Sequence, residues 1–385
     1  MSQVTIVGGG LAGLTAAITC AEAGGDVRLL EAHEVLGGRA RSMGGPYKAN
    51  FGPHVIYKDG PLWDWLAERD LLPPFSGPSL AGIRFRWQGA VRRTPPLGTI
   101  PAVLRLRGRE APVDQDFRSW VADHTDEQTA AMLSAAAGVY TFHHDPGELS
   151  AAFVWKHSVR VLLSPPPTAR YLLGGWGAMI AALETRARQL GVRIELGHPV
   201  EALPSTPTIV ATELHQAREL LGDESLDWPA GRTVCIDLGL EHRRGDPFIV
   251  SDLDEAGWIE RFSAPDPSLA PDGEELVQAQ MPIRPGENAD QAGLRLERLL
   301  DAALPNRSRR QTWHRRQVME GRTGPLDHPG MIWRDRPAVD RGDGVYLAGD
   351  MVAAPGLLSE VAWASGVEAG RLAAGAGRAA LKHVA

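Results

Sequence analysis

The pattern Gly8-x-Gly10-x-x-Gly13 lies between an apolar stretch, Val4-Thr5-Ile6-Val7, and an alanine-rich run that reaches about Ala23. That context predicts strand, tight loop and helix in succession. The first glycine permits the turn, the second lets a pyrophosphate approach the backbone, and the third lets the helix pack closely on the strand. Leu11 and Ala12 open the helix, where free N–H groups and the helix dipole favour phosphate. Gly24-Gly25 can end it in a left-handed cap. Val27-Arg28-Leu29-Leu30 reads as a second strand, closing on Glu31 with Ala32 beside it. A carboxylate there can accept ribose hydroxyls, and it disfavours a 2′-phosphate.

The rest of the 385-residue chain returns to this α/β texture twice. Residues 178–190 have helical spacing, and strands are expected at 192–196 and 200–203. A strand at 345–348, a Gly349-Asp350 turn and a helix from about 358 close the pattern. Between these blocks lie Trp-, Pro- and Gly-rich stretches with helical patches near 115–122 and 126–138, then strands with one helix near 289–303. The expected organisation is a discontinuous Rossmann-like domain (1–60, 177–230 and 335–385) and a second α+β domain made of two insertions (61–176 and 231–334). A net charge of −7 without a basic block argues against nucleic acid. Two distant cysteines, Cys20 and Cys235, argue against a disulfide framework, and no metal site is expected. No charged leader or long apolar run is evident, so a cytoplasmic location is expected.

After Glu31 comes Gly37-Gly38-Arg39-Ala40-Arg41-Ser42, which resembles the second cofactor motif of the FAD-dependent amine oxidase, protoporphyrinogen oxidase and phytoene desaturase superfamily. In that motif, glycines let the chain pass close to the cofactor and an arginine meets the pyrophosphate. Further stretches are similar to the family in order. Phe51-Gly52-Pro53-His54 resembles the loop beside the flavin ring, with Asn50 where the family often has an acid. Residues 173–179 resemble the return to the cofactor domain, and Pro199-Val200-Glu201 the strand whose backbone reads adenine. Residues 209–212 resemble a later strand of the Rossmann sheet. Val345 to Asp350 resembles the last motif, whose aspartate holds the ribityl chain, while the helix from Leu358 aims its N-terminus at the flavin. The resemblance implies noncovalent FAD bound by Gly8, Gly10, Leu11, Ala12, Gly13, Glu31, Ala32, Gly38, Arg39, Gly52, Pro53, His54, Val200, Gly349, Asp350 and Leu358.

It also implies hydride removal from a C–H bond of a small molecule. Residues 139–150 resemble the desaturase and protoporphyrinogen oxidase branch, which points to a hydrophobic substrate. Amine oxidases of the family usually carry a lysine near the flavin in the second insertion, and this chain has no lysine between 157 and 381. An amine or amino-acid oxidase, and a flavin-binding accessory subunit without catalysis, are the alternatives. Trp176 and Trp363 are candidates for the substrate pocket. His54 and Glu360 are candidate acid/base groups. Residues 97–106 mix apolar and basic character, as either a peripheral membrane entrance or a broken core segment would. Substrate identity, electron acceptor and oligomeric state are open.

Overall fold

The strand–loop–helix–strand unit folds as the glycine spacing predicts. In the computed structural model, which describes residues 3–52, 54–164, 166–204 and 207–382, β1 is Gln3–Val7, α1 is Leu11–Glu22 and β2 is Asp26–Leu30. Next come β3 (Ile56–Tyr57), α2 (Pro61–Ala67), β4 (Phe75–Ser76), β5 (Ile83–Trp87) and β6 (Ala90–Arg92). A helical segment follows, with α3 (Thr99–Leu106), α4 (Phe117–Ala122), α5 (Glu127–Ala136), α6 (Gly138–Thr141) and α7 (Ala151–Val161). The chain returns through β7 (Ala169–Leu172), α8 (Trp176–Gln189), β8 (Arg193–Glu195), β9 (Thr208–Val210) and α9 (Leu214–Leu221). The second insertion holds β10 (Ala230–Glu241), β11 (Ile249–Asp252), β12 (Trp258–Arg261), β13 (Glu274–Pro282), α10 (Ala289–Ala303), α11 (Arg307–Arg310) and β14 (Gln311–Pro325). β15 (Val345–Leu347) and α12 (Ser359–Lys382) return the chain to the first sheet.

Five short apolar strands form a parallel sheet in the order β15-β9-β1-β2-β8. Val7, Val210 and Leu347 share one register row. The loops after β1, β9 and β15 therefore leave the same edge side by side, at the carboxyl end where open α/β sheets hold ligands. On one face α1 is buried almost all round, and α12 packs against it. That approach is backbone-close: a Cβ on Gly366 would stand 2.5 Å from the Ala12 carbonyl oxygen, and one on Gly370 2.7 Å from that of Ala16. α8 packs on α1 as well, and α2 adds Leu62, Trp63, Trp65 and Leu66 to this core.

The second sheet has seven strands, in the order β14-β10-β13-β12-β11-β5-β6. β5, from the first insertion, pairs parallel with β11 from the second, so the two insertions share one sheet. Its β10–β13 face alternates. Val234, Ile236, Leu238 and Leu240 bury against Leu296, Leu299 and Leu300 of α10, whose Asn288 and Gln291 form a capping box. The intervening positions point the other way. The helices α3 to α7 make a third apolar cluster around Phe117, Trp120 and Trp155.

Two expectations change. No strand forms at 200–203. Instead the N–H groups of Gly197 and His198 bond to the carbonyls of His33 and Glu31. Pro199 and Pro204, which carry no N–H, interrupt any further ladder. Residues 97–106 are not a broken segment but mostly a two-faced helix, α3: Ala102 and Leu106 are buried with Phe117 and Trp120, while Leu97, Ile100 and Leu104 are exposed at 97%, 62% and 62%.

Candidate functional site: a glycine cradle and a polar wall

The glycines divide the work at the head of α1. A Cβ on Gly13 would lie 1.9 Å from the Gly8 carbonyl oxygen, and one on Gly8 2.6 Å from that of Ala211. Both positions exclude a side chain for packing reasons. Gly10 differs: nothing stands within 4 Å of its added Cβ. It caps α1 with no side-chain hydrogen bond, and the first turn carries no acidic residue. The first N–H groups of α1, those of Leu11 and Ala12, thus have no side-chain cap, and space is open beside Gly10, an arrangement that a pyrophosphate would complete. The Gly37 N–H bonds to the Gly9 carbonyl at 2.8 Å, drawing the second glycine pair against the first. Gly37 and Gly38 have φ of 105° and 51°, which favour glycine. Glu31, 6% exposed, takes the Gly9 N–H on Oε2 at 2.7 Å and the His33 N–H on Oε1 at 2.9 Å. Its ribose role would be shared with holding this loop. Ala32 is exposed and Val200 half-buried. The residues therefore fit a dinucleotide.

Arg39 and Asp350, expected at different parts of the cofactor, are brought together. Arg39 donates Nη1 and Nη2 to the two Asp350 oxygens at 2.8 Å each, and Nη1 also to the Arg322 carbonyl at 2.6 Å. Burial would push the Asp350 carboxyl up, but Arg39 holds it below the ordinary aspartate range. Gly349 is tied to α12 through Ser365, whose hydroxyl accepts from the Gly349 N–H and lies 2.9 Å from its carbonyl. Leu358, just before α12, adopts φ 53°. A left-handed leucine is strained, and the strain sits where the helix would meet a flavin.

His54 donates its Nε2–H to the Arg39 carbonyl at 3.0 Å, and its ring lies 4.8 Å from Trp176. Burial holds the imidazole down at about 4, so it is neutral and its proton is engaged. The Nε2 bond ties the loop after Gly52 to Arg39 and leaves the lone pair on Nδ1. Pro53 lies outside the described residues. Glu360, the other acid/base candidate, is held by partners as well. It is 3% exposed, both its oxygens accept from Arg160 at 2.7 Å, and Oε2 also takes the Leu357 N–H at 3.0 Å. A carboxylate so paired ties α12 to α7. Trp363 lines a cavity of about 510 Å³ with Pro61, His157, Leu357 and Val367. Trp176 is buried and is not among the lining residues of this cavity.

A set of residues went unread in the sequence: the polar face of the seven-stranded sheet. Asp237 stands opposite Gln278 on β13 and Arg315 on β14. Its Oδ1 accepts from Gln278 at 3.0 Å and its Oδ2 from Arg315 Nε at 2.6 Å. Asn50 joins this wall to the cofactor half. Its carbonyl accepts from Gln278 and Arg315, while its side chain accepts from Ser42 and from the Trp176 N–H. The asparagine that departs from the family pattern is therefore the hinge pin between the two sheets. Period-2 alternation along β10 and β14 could have flagged these positions. Their partners, separated by 41 and 78 residues, could not be read that way.

Comparisons with known proteins agree with this architecture. Residues 6–69 match the NAD(P)-binding Rossmann-like domain family. A stretch of 41 residues is 65% identical to a carotenoid 3,4-desaturase of Haloarcula japonica, spanning 11% of this chain and only 8% of the desaturase. Among solved structures, an oxidoreductase from Methanosarcina mazei superimposes with a TM-score of 0.78 at 15% identity, over 95% of this chain and 99% of that one. Cyclohexylamine oxidase from Brevibacterium oxydans superimposes with a TM-score of 0.74 at 15% identity, over 97% and 98%. The chain thus has a Rossmann nucleotide domain within the fold of these oxidoreductases. Among the described residues no helix is long and apolar enough to cross a membrane.

Proposed function

We propose that the protein is an FAD-dependent oxidoreductase that removes hydride from a C–H bond of a hydrophobic small molecule, with the flavin held noncovalently. The observation that carries the reading is the space beside Gly10 at the uncapped head of α1, backed by Gly37 and Gly38. FAD bound there would supply an electron-pair acceptor. Around it the chain's own residues have separable tasks. The first turn of α1 and Arg39 take the phosphates, and Asp350, poised as a carboxylate by Arg39, takes a ribityl hydroxyl. The α12 head, set by strained Leu358, would favour negative charge on a flavin ring placed before it. Trp176 and neutral His54 dry the loop beside it. The apolar side of the cavity beside Trp363, with Pro61, Leu357 and Val367, and the name of the desaturase relative support a hydrophobic substrate, although Lys156, Arg160, Glu360, Glu368 and Arg371 line the cavity too. The test is purification followed by anaerobic titration. A flavin spectrum bleached by apolar alkenes but not by amines is expected. A spectrum bleached by amines alone would turn the reading to an amine oxidase, and a protein that carries no flavin would sink it.

The reading includes contact with a membrane surface, and a cytoplasmic location in keeping with two buried free cysteines. Exposed Leu97, Ile100 and Leu104 are accompanied by exposed Arg92, Arg93, Arg105, Arg107 and Arg109. None of these arginines has a carboxylate partner among the described residues, although the chain carries net charge −7. Apolar side chains with flanking arginines suit an anionic bilayer. Flotation with phosphatidylglycerol vesicles, lost in Ile100→Ser/Leu104→Ser, is the expected result; protein left wholly in solution would retire the membrane contact.

A further inference from the structure

We propose that Arg41 and Arg315, both stacked on the ring of Phe51, form a receptor for an anionic group, a carboxylate or a phosphate, carried by the substrate. The inference rests on the flavoenzyme reading for the word substrate, and on geometry for the rest.

The Arg41 Cζ lies 4.2 Å from the Phe51 ring centroid and the Arg315 Cζ 4.8 Å from it. Two guanidiniums on one ring repel each other unless an anion accompanies them. Arg315 has part of its complement. Its Nε is held by Asp237, and its Nη2 donates to the Asn50 carbonyl at 2.6 Å. Arg41 has no carboxylate within ion-pair distance among the described residues. Each guanidinium also keeps one buried N–H with no partner, Nε of Arg41 and Nη1 of Arg315. Buried charged donors are normally satisfied, so two orphans beside one ring mark a place that a ligand completes.

The location favours the substrate over the cofactor's own phosphates. The pyrophosphate already has the head of α1 and Arg39, and Arg39 reaches Asp350 and the Arg322 carbonyl. Arg41 reaches neither. Phe51 immediately precedes Gly52, in the loop that His54 fastens. Arg315 projects from the face of β14 that meets this loop, in the same row as Asp237 and Gln278. An anion at Phe51 would therefore sit between the polar wall and the flavin-side loop. Asp237 and the Asn50 carbonyl act as positioning groups, fixing the Arg315 fork from behind. A receptor of this kind adds a charged end to the hydrophobic body proposed above. The substrate class becomes an amphipathic acid rather than a plain hydrocarbon.

The experiment is calorimetric titration of the purified protein with its bound flavin, using octanoate, octyl phosphate and octanamide as probes. Octanoate or octyl phosphate is expected to bind at least tenfold tighter than neutral octanamide, and whichever of the two binds tighter names the anion. Arg41→Gln, which strands no buried carboxylate, is expected to weaken that binding at least tenfold. Its flavin content and melting temperature should stay at the parent values. Arg315→Lys, which keeps the charge facing Asp237, is expected to act in the same direction. Equal binding of octanamide, or unchanged octanoate binding in Arg41→Gln, would overturn the proposal. Loss of flavin from Arg41→Gln would overturn it too, because the guanidinium would then serve the cofactor. A parent protein without flavin sinks the oxidoreductase reading instead, while the octanoate titration still reads the receptor.

Discussion

The cradle at the head of α1 and the polar wall of the seven-stranded sheet are built in opposite ways. The cradle consists of backbone and empty space, with glycines that either touch a carbonyl or leave room for a ligand. The wall consists of side chains, Asp237, Gln278 and Arg315, that complete one another across three strands. A backbone site tolerates change around it and fails at single atoms. A side-chain network fails whenever one member leaves the rest buried without partners.

The largest effect should come from Gly13→Ala, whose Cβ would meet a fixed carbonyl at 1.9 Å. Loss of about 3 kcal/mol or more is expected, with the nucleotide half unfolding at lower denaturant, read by chemical denaturation. Asp237→Ala tests the wall on the same scale. It strands the Arg315 guanidinium, and a loss of about 3 kcal/mol is expected; Arg315→Met added to it should recover much of that. Full stability of Asp237→Ala alone would show that the wall is not a coupled unit. Gly10→Ala is the sharper contrast with Gly13. Its Cβ meets no protein atom, so the melting temperature should hold while FAD affinity falls at least tenfold, measured by flavin retention on dialysis.

The smallest effect is a pH dependence. Burial holds His54 at about 4, against ~6.5 in an unfolded chain. Between those values the unfolded chain takes up a proton that the folded chain refuses. Stability is therefore complete above the unfolded value and falls as pH drops toward 4, by about 2 kcal/mol after allowance for partial exposure. His157, held at about 3 by burial, adds to the same limb. His54→Gln should flatten part of that slope in urea titrations at stepped pH, and an unchanged slope would assign the whole limb to His157.

What the sequence revealed follows the same division. Local periodicity and glycine spacing located β1, α1 and β2, and α10 matches the helix expected near 289–303. These depend on neighbours in the chain. The pairing of Arg39 with Asp350 joins positions 311 apart, and that of Arg160 with Glu360 positions 200 apart. No spacing encodes such meetings, so the Arg160 partner of Glu360 could not be read from the sequence. Asn50 is the instructive intermediate. Its departure from the family pattern was visible, but its task became visible only with Gln278 and Arg315 in place.

The packing of α12 on α1 sets an order in time. Ala12 and Ala16 are covered by Gly366 and Gly370, and β15 adds the sheet's last strand. A ribosome making ~5–20 residues per second releases α1 well before it makes those glycines. For that interval the phosphate-binding helix exists without its cover, and the nascent chain presents its most apolar helix to whatever chaperone is nearby. A cofactor bound at the head of α1, as proposed above, would have to wait until α12 has been made.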